Sequence, residues 1–133
     1  MNWGNRMTIT RQHVIDRDLA AAVSAPIISY VVSHGDVVYL SGVISDPSNP
    51  GPDVRSQTRE ILQRIDGFLA DAGTDKSKLL TAQVWLRDMS TFYEHNEAWN
   101  EWVDPANPPV RACIQAQLAL PTLLVEIQVT AAR

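Results

Sequence analysis

The residues with chemical potential cluster near the C-terminal end of the chain. Arg111 follows Asn107-Pro108-Pro109-Val110, whose prolines hold the backbone extended, and it opens a segment with strand-like alternation. A planar guanidinium at such a point can bind a small carboxylate through two parallel hydrogen bonds. The competing reading is an ion pair with Glu126 or Asp104 that serves only the fold. Cys113 stands two residues further on. A nucleophilic thiolate would need a lowered pKa and an adjacent base, and the sequence places none of His13, His34 or His95 beside it. Cys113 therefore reads as the wall of a site or a small apolar filler. Glu126 is the carboxylate that strand periodicity puts on the same face as Arg111. That makes it the natural group to hold a water or handle a proton, unless it pairs with Arg111 or Arg87.

Other chemistries find no support. The chain has no glycine-rich phosphate loop, no cysteine pair and no histidine pair at metal-ligand spacing. Ser41-Gly42 lacks the surrounding pattern of a nucleophile elbow. Eleven Lys and Arg against 15 Asp and Glu give a net charge of −4, and no basic run occurs. This opposes a nucleic-acid partner, since phosphate binding relies on a basic patch. A single cysteine excludes an internal disulfide and fits a reducing compartment. No stretch reaches the ~20 apolar residues of a membrane helix, and the first residues lack a secretory pattern, so a cytoplasmic protein without membrane contact is expected. At 133 residues, one domain spanning 1–133 is expected, with residues 1–6 as a flexible tail and Met7 as an alternative start. Such a chain buries one core, so a ligand site belongs on its surface or between copies.

The elements that would position these groups follow from periodicity. Thr8 to Val14 alternates as a first strand, and the Ala-rich stretch from Arg17 to Ser24 reads as a loop or short turn. Tyr30 to Ser33 and Val37 to Gly42 flank His34-Gly35-Asp36 as a hairpin. Asp46 to Pro52, with three prolines and a glycine, is a long loop. Asp53 then caps a helix whose Thr58, Ile61, Leu62, Ile65, Phe68, Leu69 and Ala72 share one face, and Gly73 ends it. Leu80 to Arg87 alternates as a strand with Leu80, Ala82, Val84 and Leu86 on the core side. Ser90 caps a second helix that carries Phe92, His95, Asn96, Trp99, Trp102 and Val103 on one face and stops before Pro105. Arg111 to Leu118 and Leu124 to Ala132 close the chain as strands turned at Pro121. The order βββαβαββ predicts an α+β fold, a mixed six-stranded sheet with two helices packed on one face.

The other sheet face is the informative one. Alternation assigns it Arg111, Cys113, Gln115 and Gln117, with Leu124, Glu126, Gln128 and Thr130, Thr81, Gln83, Trp85 and Arg87, and Val37, Tyr39 and Ser41 from the other strands. Aromatic, amide and Arg side chains mixed this way suit a partly desolvated surface where copies meet, with a plain solvated sheet face as the alternative.

Taken in order, Ser41-Gly42, Gln57-Thr58, Ala72-Gly73, Asp88-Met89, Asn96, Pro109-Val110-Arg111, Cys113, Leu120-Pro121 and Val125-Glu126-Ile127 resemble the RidA/YjgF family over roughly residues 31–132. The resemblance implies a chorismate-mutase-like fold assembled as a homotrimer with clefts between subunits. It implies hydrolysis of reactive imines and enamines to 2-keto acids and ammonia, with no metal or organic cofactor. By the same resemblance Arg111 anchors the substrate carboxylate and Glu126 positions the attacking water; Cys113 and Ser41 are expected beside them in the cleft wall, against the leaving amine. Ile27-Ile28 replaces the family's Gly-Pro-Tyr, so Ile28 and the nearby Tyr30 complete that wall and make it more apolar. Two alternatives stand beside this function. One is a non-catalytic small-molecule binder using the same cleft. The other is an endoribonuclease, which the acidic balance opposes.

Overall fold

The computed structural model describes residues 8–133; the expected N-terminal tail and alternative start at Met7 lie outside them. Seven strands form one mixed sheet: β1 (Ile9–Ile15), β2 (Ile28–His34), β3 (Val37–Leu40), β4 (Val43–Ile44), β5 (Leu79–Leu86), β6 (Val110–Gln115) and β7 (Val125–Ala132). The spatial order is β1-β2-β3-β7-β5-β6, and β4 continues the β3 side along β7. Only the β5–β6 pairing is parallel. That pairing requires a crossover, which helix α3 (Phe92–Trp102) supplies. The other helices are α1 (Arg17–Val23) and α2 (Val54–Asp71).

Local chemistry explains most boundaries. β2 and β3 join through a tight turn in which Gly35 takes φ 62, a conformation glycine enters without steric cost. At the start of α2 the Asp53 carboxylate accepts from Ser56 N at 2.8 Å, while Ser56 Oγ accepts from Asp53 N at 3.3 Å. Gly73 follows its last turn at φ 80. The predicted apolar stripe is the one that is buried: Ile61, Leu62, Ile65 and Leu69 meet Val31, Val38, Val84, Ile127 and Val129 in one core cluster. Each side chain of that kind contributes roughly 1.5–3 kcal/mol by leaving water.

Four expectations need correction. The Ala-rich stretch is not a loop but α1, because Asp16 caps it through Leu19 N at 2.9 Å and Ser24 closes it in the left-handed region. With α1 and the two-residue β4, the described residues form seven strands rather than six and three α-helices rather than two. In β5 a register irregularity between Leu79 and Thr81 turns Leu79 into the core and leaves Leu80 44 % exposed. Ser90 does not cap α3: a 3₁₀ turn at Met89–Thr91 precedes the helix, and the Asp88 carboxylate accepts from Ser90 N at 2.8 Å.

Two side chains fix the connection from β6 to β7. Fully buried Gln57 donates to Gly51 O at 2.8 Å and Thr122 O at 2.9 Å, and accepts from Leu124 N at 2.9 Å. Arg87 donates through Nε to Leu123 O at 2.8 Å and through Nη2 to Leu120 O at 2.6 Å. The start of β7, and with it Glu126, is thereby held in place.

Candidate functional site

Strand register decides which candidate residues meet. Residues paired across neighbouring strands share a face. In β6, Arg111 pairs with Ala82 and Cys113 with Val84, both core residues of β5. Arg111 and Cys113 therefore point to the helix-covered face. Glu126 pairs with Trp85, which pairs on its other side with Ile114, and this row lies on the helix-free face. The expectation that Arg111 and Glu126 share one face is thus overturned. The alternation was read correctly but assigned backwards, because the apolar members of β6 are not core residues. Val110 is 70 % and Ile114 50 % exposed.

The first cluster is built around Arg111. Its Nη2 donates to Asn96 Oδ1 at 2.8 Å, and its Nη1 lies 3.3 Å from His95 Nε2. The guanidinium carbon sits 5.2 Å from the centre of the Trp99 ring and 5.9 Å from that of Phe92. All four partners come from α3, which the helical period stacks on one face. Among the described residues no carboxylate pairs with Arg111, so neither the Glu126 nor the Asp104 ion pair exists. Burial lowers the Arg111 pKa, and the group remains a cation. Burial and then the charge of Arg111 bring the His95 pKa down from 6.5 to about 4, so His95 is neutral at physiological pH. Burial raises the Cys113 pKa, partly offset by Arg111, which keeps the thiol protonated and argues against a nucleophile.

The second cluster surrounds Glu126. Its carboxylate is half-buried and meets no hydrogen-bond or ion-pair partner among the described residues. Burial raises its pKa. Gly42 lies directly beneath it: a Cβ on Gly42 would come 2.1 Å from Glu126 Oε2. Ser41 precedes that glycine and donates its backbone N–H to Tyr30 O at 2.9 Å. The predicted wall residues Tyr30 and Ile28 are engaged elsewhere: the Tyr30 ring stacks on Phe68 of α2 at 5.3 Å, and half-buried Ile28 stands opposite Ile15 of β1. On the helix-free face a hollow of about 500 Å³ is bordered by Thr81, Gln83, Val110, Ala112, Gln128 and Thr130; Arg111 of β6 also lines it, and Glu126 does not.

Sequence reasoning placed His95 and Asn96 on a helix face without connecting them to Arg111. The available signal was a His-Asn pair set among aromatic residues at helical spacing, polar groups that a purely apolar contact would not contain. Among the described residues no group of His, Cys, Asp and Glu is arranged to hold a metal ion, and no helix is long and apolar enough to cross a membrane.

A mixed sheet covered on one face by helices, with a guanidinium on one side and a carboxylate on the other that meet no opposite charge among the described residues, defines an α+β protein. Comparison with known proteins places it. The chain matches the family described as Endoribonuclease L-PSP over residues 19–133, and it belongs to this family, also called RidA/YjgF. It is 43 % identical to a RutC family protein of Haemophilus ducreyi over 104 residues, 78 % of this chain and 87 % of that one. It is 30 % identical to a protein of Acinetobacter baylyi named 3-aminoacrylate deaminase RutC, over 77 % of this chain and 85 % of the relative. A crystal structure of a YjgF family member from Neisseria meningitidis superposes with a TM-score of 0.83 at 34 % identity, covering 96 % of this chain and 97 % of that one. The fold is accordingly the YjgF fold.

Proposed function

We propose that this protein hydrolyses carboxylate-bearing imines and enamines to 2-keto acids and ammonia, in clefts between the subunits of a homotrimer. The observation that carries the reading is Arg111: a half-buried cation held by neutral partners, with no counter-anion among the described residues. A guanidinium desolvated in this way gains most from an anionic ligand that offers two oxygens. The relative named as a 3-aminoacrylate deaminase supports the substrate class. Because Arg111 and Glu126 project from opposite faces, a ligand touching both takes Arg111 from one copy and Glu126 from another. The exposed Val110, opposite Thr81, and Ile114, opposite Trp85, supply apolar surface for such an assembly.

In this cleft Arg111 holds the carboxylate and thereby orients the imine carbon. Glu126 of the adjacent copy accepts a proton from a water as its oxygen bonds to that carbon. The proton passes to nitrogen, the C–N bond of the resulting carbinolamine breaks, and ammonia leaves as the carbonyl forms. A carboxyl whose pKa is raised by burial is better matched to taking and returning a proton near neutrality than an exposed one. Ser41, beside Glu126, contacts the departing amine.

The test generates imines in situ from several amino acids with an amino-acid oxidase and traps the remainder with semicarbazide. Faster keto-acid release with wild type, lost with Arg111→Ala, is the expected result. No acceleration for any imine, with pyruvate binding retained, would sink the catalytic reading in favour of a binding protein. The endoribonuclease named in the family's description would need a basic surface, which the net charge of −4 opposes.

A further inference from the structure

Arg111 is held in an unusual way for a half-buried cation, and the way it is held has a consequence for ligand binding. Arginine only donates hydrogen bonds. The 3.3 Å contact between Arg111 Nη1 and His95 Nε2 therefore requires Nε2 to be an unprotonated acceptor. In neutral His95 the proton must then sit on Nδ1, which faces Thr58 Oγ1 at 3.0 Å. Thr58 and His95 are both fully buried, so no water competes for either nitrogen. Thr58 belongs to α2 and His95 to α3, so the chain of contacts runs from one helix through the imidazole to the guanidinium on β6.

We propose that His95, held in its Nδ1–H tautomer by the Arg111 donor at Nε2 with Thr58 Oγ1 accepting from Nδ1, is a positioning residue for the anion-binding function of Arg111. His95 and Asn96 occupy one N–H on each terminal nitrogen with neutral acceptors. The remaining donors of the fork and the full positive charge stay available to a carboxylate. An acidic residue at position 95 would orient the fork equally well but would cancel the charge the ligand needs. The opposite tautomer would place an N–H against an N–H and push the guanidinium out of its seat. This inference rests on the proposed role of Arg111 and adds what that role demands of the residues behind it.

Two measurements test it. The first is ¹⁵N–¹H NMR of the imidazole nitrogens in wild-type protein at neutral pH, which needs no variant to fold. A protonated Nδ1 and bare Nε2 at His95 are expected, and an Nε2–H tautomer would overturn the proposal. The second measures pyruvate binding by calorimetry and imine turnover for His95→Leu, His95→Gln, Thr58→Val and Arg111→Ala. His95→Leu should weaken pyruvate binding about tenfold and raise KM to match, with kcat within about twofold, because the carboxylate is held alike in ground and transition states. His95→Gln, which restores a neutral acceptor, should recover most of the loss, and Thr58→Val should fall between. If Arg111→Ala abolishes binding while His95→Leu binds as wild type, this inference fails and the proposed function stands. If Arg111→Ala itself binds as wild type, the proposed function fails and the inference with it.

Discussion

β7 and β6 flank the same central strand, yet only one behaves as its composition suggests. In β7, Val125, Ile127, Val129 and Ala131 alternate with polar residues and are buried. In β6, Ala112 and Ile114 alternate with Arg111 and Cys113 in the same manner, but it is the Arg111 and Cys113 face that meets the helices. The difference lies in the neighbours. β7 is paired on both sides within the chain and must put its apolar face on the chain's own core. β6 is an edge strand, and its orientation is set by register with β5 and by the stacking of Arg111 on α3. Its apolar face is left over, which is how an interface between copies looks from within one chain.

Truncation separates the two strands most sharply. Ile127→Ala in β7 should cost about 2–5 kcal/mol of stability, read as a fall in the denaturant midpoint, since the residue is fully buried. A loss near zero would contradict the core assignment. The next effect concerns the cluster on the helix-covered face and its response to pH. His95 has a folded pKa of about 4 against an ordinary value of 6.5, so the unfolded chain takes up this proton first as pH falls. The stability tied to neutral His95 is complete above about pH 6.5 and is lost progressively down to about pH 4, about 3 kcal/mol in all. Glu126 works in the opposite sense, because a raised carboxyl pKa means its burial penalty is relieved on acidification. Denaturant titrations of wild type and His95→Gln across this range should therefore diverge, with the variant flatter.

A smaller effect is expected at Gly42. An added Cβ collides with Glu126 Oε2, the flexible end of that side chain, so Gly42→Ala should displace the carboxylate rather than unfold the protein. Turnover should drop about tenfold with stability changed by less than about 1 kcal/mol. Unchanged turnover would argue that the Glu126 position is unimportant. The smallest stability effect belongs to Ile114→Asp, within about 0.5 kcal/mol for the single chain because the residue is exposed. Sedimentation should nevertheless show dissociation to smaller species, and an unaltered assembly would remove Ile114 from the interface.

What could be read in advance divides along the same line. The long helix with its cap and terminating glycine, the closing strand and the α+β class were legible, because each depends on periods and turn chemistry internal to one segment. The Leu79–Leu80 exchange was not, since a bulge leaves the strand pattern intact while shifting its phase. α1 was missed because its short Ala-rich run lacks a full apolar stripe, and its cap at Asp16 was the overlooked signal. At the candidate site, Arg111 and Glu126 were singled out by residue type and spacing, whereas their separation onto two faces depends on register between strands distant in sequence. His95 acquired a role only once α3 was laid against β6.

The division of the site between copies is tested most directly by subunit complementation. Arg111→Ala and Glu126→Gln proteins, each inactive alone, would be unfolded, mixed in equal amounts and reassembled, then assayed for imine hydrolysis. If each cleft draws Arg111 from one copy and Glu126 from the next around a closed ring, random mixing regenerates intact clefts at about one in four, and activity should return to about a quarter of wild type. A mixture as inactive as its parents, with mixed assemblies confirmed by mass, would show that Arg111 and Glu126 do not act together across an interface.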